Sequence, residues 1–404
     1  MSKKLNVGLF GFGCVGKGFH DIVAAAHSEH IQVKKIAVKN RNKPRSLPAH
    51  CFSYDKDEIL KDPSIDVIVE AIDDPQQSFE IVSNALKNKK SVVSANKKMI
   101  AHHLPELIRL QAEHNTPLLY EASSCGSIPV IRTLEEYFQS EQLNKVEGIF
   151  NGTSNYILSK IFNDRLEYEP ALKQAQELGF AETDPGNDVQ GLDPKFKLCI
   201  IALHAFGVLL HPNEIVTLGI KNIHSNDIQY ARKNNLKIKL VARIVLEEER
   251  LLAYVIPQFV KATGSLYNIE NEDNAVLIDA RYSGEQFLKG KGAGSYPTGS
   301  AVLKDVLSLR DDYKYAYQKH KAQTLKPDND TLVEAYVRYQ SEKTKERLQF
   351  ESIGEGYLDD HYKYVIGFIS LQNLLDNAHL LEEEKATVIA TGRIKVSVDQ
   401  KLLS

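Results

Sequence analysis

Two periods alternate through the first 120 residues. Short, nearly unbroken apolar runs at 5–10, 32–38, 66–72, 91–94 and 117–120 read as buried strands. Between them come segments of helical period: about three turns opening at Gly16, then 76–88, then about 104–114. Strands alternating with helices predict βα units, and hence an α/β fold built on a doubly wound parallel sheet. Such sheets bind ligands at the carboxyl ends of their strands. Ile72 and Lys97 both lie at such ends and are expected to look into the crevice there.

The rhythm changes after residue 120. A strand at 145–150 is followed much later by strand-like runs at about 236–247, 251–260 and 274–281. A helix is expected after Gly294, with Pro297 in its first turn. Beyond Lys326-Pro-Asp-Asn-Asp330 the composition shifts. Residues 331–339 read as a strand, 362–375 as a strand then a helix, and 386–398 as strands around Thr391-Gly392. This tail predicts a small α+β unit.

Composition narrows the function classes. The chain is 43% hydrophobic and 25% charged, with a formal net charge of -3, which argues against a nucleic-acid or anionic-membrane partner. No apolar run is long enough to span a bilayer, and the N-terminus passes into a strand without a signal-peptide core. Cys14, Cys51, Cys125 and Cys199 are widely spaced and form no CxxC pair, which suits a reducing cytoplasm. The histidines form no zinc pattern, and the doublet His102-His103 reads as exposed loop.

Gly11-Phe12-Gly13-Cys14-Val15-Gly16 follows the first strand and opens a helix. That is G-x-G-x-x-G in the context a dinucleotide site requires. Gly11 permits the tight turn, Gly13 lets backbone approach a pyrophosphate, and Gly16 allows close helix–strand packing. The helix N-terminus offers free N–H groups to phosphate. The second strand runs into Lys39-Asn-Arg41-Asn-Lys43-Pro-Arg45, where an NAD site usually places an acid for the ribose 2′-hydroxyl. A basic loop there predicts NADP(H), with NAD(H) still open.

The other chemical concentration is 182–197, Glu182-Thr-Asp-Pro-Gly-Asn-Asp188-Val-Gln-Gly-Leu-Asp193-Pro-Lys-Phe-Lys197. Asp193 precedes Pro194 and is expected near a helix N-cap, with Lys197 four residues on along the same face. Alone, such a pair reads as a solvated ion pair. Beside a dinucleotide motif it reads as a site that holds an amino acid through carboxylates and moves a proton at its oxygen. Burial and a neighbouring lysine favour a neutral amine, a neighbouring carboxylate favours the ammonium, and the sequence leaves that balance open. The charge of Lys97 or Lys197 would stabilise developing alkoxide.

Taken together, GFGCVG, SANKK, YEASSCGSIP, NGTSNYI, AQELGFAE, DPGNDVQGLD and GKGAGSYPTGSAV occur in an order that resembles the homoserine dehydrogenase family across about residues 5–310. The resemblance implies a Rossmann-type nucleotide domain over 1–130, completed by 295–325. It implies an inserted α+β substrate and dimerisation domain over 131–294, and a C-terminal module over 326–404 where longer members carry a regulatory ACT domain. It implies NAD(P)-dependent interconversion of L-homoserine and L-aspartate 4-semialdehyde, a step toward threonine, methionine and isoleucine. Lys197 would relay the proton, and Lys97 would lie by the substrate oxygen and the nicotinamide. Glu182, Asp188, Asp193 and Thr153 would bind or organise the substrate, and Gly179 and Gly294 would approach the cofactor through backbone. Carbonyl oxygens of Glu121, Ser124, Gly126 and Ile128 would hold a monovalent cation, sodium, in a structural role. A homodimer or a dimer of dimers is implied as well.

The chain departs from the family pattern at Asp73-Asp74, where a small glycine pair is usual, and at Cys125 in the cation loop. Two rivals stay open: a related Rossmann oxidoreductase on another amino acid or sugar phosphate, and a non-enzymatic dinucleotide sensor. The first would not need Glu182, Asp193 and Lys197 together, and the second would have no reason to keep both Lys97 and Lys197.

Overall fold

A computed structural model describes residues 4–247, 249–322, 325, 327–358 and 362–395. The chain divides into two compact units, Met1–Gln139 with Gly290–Lys321, and Ser140–Lys289 with Ala322–Ser404. Each is described by itself.

The first unit carries a six-stranded sheet of β1 (Leu5–Phe10), β2 (Ile31–Ala37), β3 (Phe52–Ser53), β4 (Val67–Glu70), β5 (Ser91–Ser94) and β6 (Leu118–Leu119), in the order β3-β2-β1-β4-β5-β6. Every pairing is parallel. The chain starts at the centre, winds to one edge and returns to wind to the other. The strand order therefore reverses between β1 and β4, where a doubly wound sheet opens its ligand crevice. β4 is buried at all of its positions, as a parallel strand covered on both faces must be.

The returning segment completes this unit. Its helix Ser295–Ser308 lies against the first helix, Cys14–Ile22, at a spacing only glycine allows. A Cβ on Gly18 would fall 2.1 Å from the Ser295 carbonyl oxygen, and one on Gly299 2.6 Å from the Phe19 nitrogen. Tyr315 then ties back to the sheet end, where its hydroxyl accepts from the Tyr120 nitrogen at 3.1 Å.

One helix corrects the sequence reading. It runs Lys97–His114 and does not wait until about residue 104. Asn96 caps it, its side-chain oxygen accepting from the Met99 nitrogen, and Met99, Ile100, Ala101 and Leu104 form the buried stripe. Pro105, tolerated inside the helix, disguises the start in the sequence. His102 and His103 consequently lie on a helix and not in an exposed loop, and His103 stacks on Phe79 with ring centroids 3.9 Å apart.

The second unit is built on one ten-stranded sheet. Its strands are β7 (Leu143–Ile149), β8 (Val216–Thr217), β9 (Leu236–Glu247), β10 (Arg250–Lys261), β11 (Asp273–Ala280), β12 (Gly284–Lys291), β13 (Leu332–Tyr339), β14 (Ser352–Leu358), β15 (Lys363–Ser370) and β16 (Thr387–Lys395). The order is β12-β11-β7-β9-β10-β16-β13-β15-β14, with β8 paired to β10. Helix Leu192–Phe206 is buried along nearly all of its length, so its polar residues lie where water is scarce.

From β13 on, the chain reads β-α-β-β-α-β, with antiparallel order β16-β13-β15-β14, a ferredoxin-like arrangement. Its hydrophobic face is continuous with the rest of the unit. Val333, Val337, Ile369 and Val388 share one core with Val216, Leu252, Tyr254 and Ile256. β16 is described as far as Lys395, so the last part of the strand expected over 386–398 lies outside the described residues. Lys326, where the composition shifts, lies outside them too.

Candidate active site

In the first unit the glycine turn has three distinct environments. Gly11 has φ +93, and a Cβ there would fall 2.3 Å from the Ala71 carbonyl oxygen. A Cβ on Gly16 would fall 2.2 Å from the Gly11 oxygen, so this position is closed by packing. A Cβ on Gly13 would meet nothing within 4 Å, and Gly13 is exposed at the N-cap of helix Cys14–Ile22. The open position is therefore the one at the helix N-terminus, where backbone N–H groups lack partners and attract anions. Phe12 packs edge-on to Phe52, Cys14 is exposed, and Val15 is half-buried. A second helix N-terminus adjoins the first: Ser295 Oγ donates to the Cys14 carbonyl at 2.8 Å, and Gly294 caps that helix at φ +118.

The ends of β4 and β5 are tied together by a carboxyl group the sequence did not single out. Glu70 is fully buried. It accepts from the Ile72 nitrogen at 2.8 Å and from Ser94 Oγ at 2.5 Å. Ser94 Oγ accepts from the Asn96 nitrogen at 3.1 Å, and Asn96 Nδ2 donates to the Ile72 carbonyl at 3.0 Å. Burial pushes the Glu70 carboxyl above the usual carboxylate range against these hydrogen bonds. The network fixes both Ile72 and the turn into helix Lys97–His114, whose first residue is the half-buried Lys97. The only sign of this in the sequence is an acid inside an apolar run.

Asp73-Asp74 resolves into a structural feature. Asp74 caps helix Pro75–Lys87, accepting from the Gln76 and Gln77 nitrogens at 3.0 and 2.9 Å, and these bonds hold its carboxyl below the usual range. After β2, Lys39, Arg41 and Lys43 are exposed. Arg41 lies over the Tyr54 ring at 4.7 Å and Arg45 over Phe52 at 5.1 Å.

The loop 121–128 is buried except at Ser127. Cys125 and Gly126 both have positive φ, +46 and +56, and a Cβ on Gly126 would fall 2.6 Å from the Gly292 carbonyl. The Glu121 carboxylate turns toward the next helical turn, accepting from the Ile131 and Arg132 nitrogens at 3.0 and 2.7 Å. Burial, with the charge of Asp305 second, pushes Glu121 up to about 8. Its carbonyl accepts from the Ser124 nitrogen at 3.1 Å, and the Ile128 carbonyl from the Val130 nitrogen at 2.8 Å. The Ser124 hydroxyl is buried with no hydrogen-bond partner. Among the described residues no group of three or more His, Cys, Asp or Glu side chains is placed to hold a metal.

In the second unit, the acidic stretch folds against the end of β7. Helix Leu192–Phe206 begins after Gly191, which takes the left-handed cap at φ +78. Asp193 is thus inside the first turn and caps nothing, contrary to the sequence expectation. Gly191 supplies the backbone bend, which frees the carboxylate for another task. Asp193 Oδ2 accepts from Lys197 Nζ at 2.8 Å, and Lys197 Nζ donates also to the Phe150 carbonyl at 2.6 Å. The two side chains are only 5% and 6% exposed, so this is no surface ion pair. Asn151, which the sequence reading passed over, donates from Nδ2 to Asp188 Oδ1 at 2.7 Å and to Asp193 Oδ2 at 3.0 Å.

Asp188, Asp193 and Lys197 are therefore brought together. Thr153 is the second residue of the helix that Asn151 caps and donates to the Phe180 carbonyl at 2.5 Å. Glu182 stays outside this cluster: its side chain is exposed, and its carbonyl accepts from Gln176 Nε2 at 3.0 Å. Gly179, at φ +77, is exposed with nothing within 4 Å of a Cβ position. Lys195 is half-buried, and burial holds its amine below the usual lysine range. Lys197 Nζ thus bonds Asp193 and the Phe150 carbonyl, two partners for a group with three donors as an ammonium.

Known proteins place the chain in a family. A family model for homoserine dehydrogenase matches residues 129–307, and one for the homoserine dehydrogenase NAD binding domain matches residues 11–121. The homoserine dehydrogenase of Bacillus subtilis is 34% identical over 76% of this chain and 73% of its own. That of Helicobacter pylori is 32% identical over 84% of this chain and 82% of its own. The crystal structure of a homoserine dehydrogenase from Thiobacillus denitrificans superposes with a TM-score of 0.82 at 27% identity, covering 97% of each chain. A homoserine dehydrogenase from S. aureus gives 0.72 at 29% identity over 98% of each. The chain belongs to the homoserine dehydrogenase family, whose members are NAD(P)-dependent oxidoreductases.

Proposed function

We propose that this chain interconverts L-homoserine and L-aspartate 4-semialdehyde with NADP(H) as the preferred cofactor, in the supply of threonine, methionine and isoleucine. The observation that carries the reading is Lys197, a buried ammonium shared between Asp193 and a carbonyl. Oxidising a primary alcohol removes a hydride from carbon and a proton from oxygen. The nicotinamide, when bound, accepts the hydride. As the neutral amine Lys197 takes the hydroxyl proton in oxidation, as the ammonium it returns a proton to the carbonyl oxygen in reduction, and Asp193 holds its nitrogen in place. Asp188 and Asp193 supply negative charge for the substrate ammonium, with Glu182 and Thr153 at the rim. The ammonium of Lys97 stabilises charge on the reacting oxygen.

In the first unit the Gly11–Gly16 turn, Ile72 and Gly294 are assigned to the cofactor, and the open Gly13 position supports a pyrophosphate there; in the second unit the Gly179 backbone is assigned to the cofactor as well. Lys39 and its basic neighbours, with no acid at the end of β2, support a 2′-phosphate partner and so NADP(H) over NAD(H). The two consecutive left-handed residues and the orphan Ser124 hydroxyl support a hard monovalent cation, sodium, on main-chain oxygens of Glu121, Ser124, Gly126 and Ile128. Exposed Ile353, Tyr357 and Leu358 on the outer strand β14 support a homodimer or a dimer of dimers, since unpaired edges seek partners. We assign residues 1–130 with 295–325 to cofactor, 131–294 to substrate and dimerisation, and 326–404 to a diverged ACT-like module. Four cysteines with no disulfide among the described residues support a cytoplasmic setting.

The test is absorbance at 340 nm with purified protein and L-homoserine, supplied with NADP or NAD. Reduction of NADP at the lower KM supports the whole reading. A rate with another hydroxy amino acid and none with homoserine would overturn it.

A further inference from the structure

We propose that Asn151 is a positioning residue for this reaction: its carboxamide clamps Asp188 to Asp193 and limits how strongly Asp193 holds the Lys197 proton. The inference rests on the roles given above to Lys197 and the two aspartates.

Asn151 is 6% exposed, and both of its amide donors and its oxygen are engaged. A primary amide has two N–H donors. One goes to Asp188 and the other to Asp193, at 2.7 and 3.0 Å. Its Oδ1 accepts from the Ser154 nitrogen at 2.8 Å and caps helix Gly152–Asn163. The amide cannot flip, because its oxygen would then face two carboxylates. Two acids near one nitrogen repel each other, and the amide donors and the lysine offset that repulsion.

The shared atom gives the arrangement its chemistry. Asp193 Oδ2 accepts from Asn151 and from Lys197 at once. A donor on a carboxylate oxygen spreads its charge and weakens its pull on a second proton. Asn151 thereby favours the neutral amine, the form of Lys197 that takes the proton when the alcohol is oxidised. The preceding residue adds to this, since the Phe150 carbonyl fixes the same ammonium at 2.6 Å. The charged groups around Lys197 are Asp193 on its own helix, Asp188 on the preceding turn, and Lys195, which interacts with Cys199 along the helix.

Two substitutions separate this role from helix capping. Aspartate and serine both cap helices well, so Asn151→Asp and Asn151→Ser should keep the cap and the NADPH affinity of the parent, while the loss of the amide donors lowers the thermal midpoint. Asn151→Asp also adds a third negative charge. We expect its kcat/KM for homoserine oxidation to drop about 10–100-fold, with the limb of the pH–rate profile on which oxidation gains rate displaced to higher pH. Asn151→Ser should lose a similar factor with a smaller displacement. Parent-like kcat/KM and an unmoved profile in both variants would mean that Asn151 only caps a helix, and the proposal falls. Lys197→Ala, run alongside, tells the two failures apart. If it keeps turnover, the site assignment falls and this proposal with it; if it is inactive while both Asn151 variants behave as parent, only the proposal falls.

Discussion

The glycine turn of the first unit and the acid–lysine cluster of the second are both candidate sites, yet they are encoded in opposite ways. The turn is six consecutive residues whose work is done by backbone: one left-handed glycine, one glycine closed by packing and one left open. The cluster is assembled by side chains from separated segments, with Asn151 reaching Asp188 and Asp193 across 37 and 42 positions. A backbone site depends on conformation and tolerates few side chains. A side-chain site depends on the fold that gathers it, and its parts differ widely in cost when removed.

The largest effect should come from the cluster. Lys197→Ala should lower kcat by about 10²–10⁴-fold while NADPH affinity, followed by fluorescence titration, stays at the parent value. A cofactor defect with full turnover at saturation would put the lysine in the wrong half of the comparison. Next comes the basic loop. Replacing Lys39 and Arg41 by serine should weaken NADP by about 10–100-fold and leave NAD untouched, with a shallower dependence on salt. Equal losses for both cofactors would remove the 2′-phosphate from that loop.

The turn offers a finer cut. Gly16→Ala pushes a methyl against a carbonyl oxygen and should cost about 1–3 kcal/mol of stability. Gly13→Ala meets empty space, so it should keep the thermal midpoint yet raise the NADP Kd about tenfold, or roughly 1.4 kcal/mol. If the two variants behave alike in melting, the open position is not open.

The smallest effect belongs to Glu70. Burial lifts its carboxyl, so the folded chain keeps a proton that the unfolded chain has already lost. That contribution is complete at low pH and is lost as pH rises through the folded-state value. Glu70→Gln cannot titrate. Its thermal midpoint should fall less steeply than the parent's between pH 5 and 8, by on the order of 2 °C. Parallel melting curves would show that Glu70 is ionised throughout.

The same contrast explains what the sequence revealed. β1 and the Gly11–Gly16 turn are local, and reading neighbours in order finds them. Helix Lys97–His114 was half hidden because Pro105 suggests a start that Asn96 had already made. β14 escaped notice because every one of its residues is exposed, so no alternation marks it. Asp193 was expected as a cap because Pro194 follows it, but left-handed Gly191 took the bend and left the acid for Lys197. Asn151 and Glu70 could not be picked out by spacing. One reaches partners across the sequence, and the other is a lone acid in an apolar run, distinguished only by what surrounds it.

The shared core of the second unit bears on how such a chain can be shortened. Val216, Leu252, Tyr254 and Ile256 are covered by Val333, Val337, Ile369 and Val388. A gene cut before β13 would therefore not release a free-standing catalytic fragment. It would bare an oily face beside the strands that anchor the site, and the product would cling to its neighbours. Any lineage that dispensed with the last eighty or so residues would have had to recoat that face with polar side chains first, and the trace of such a loss would be found in β8 and β10.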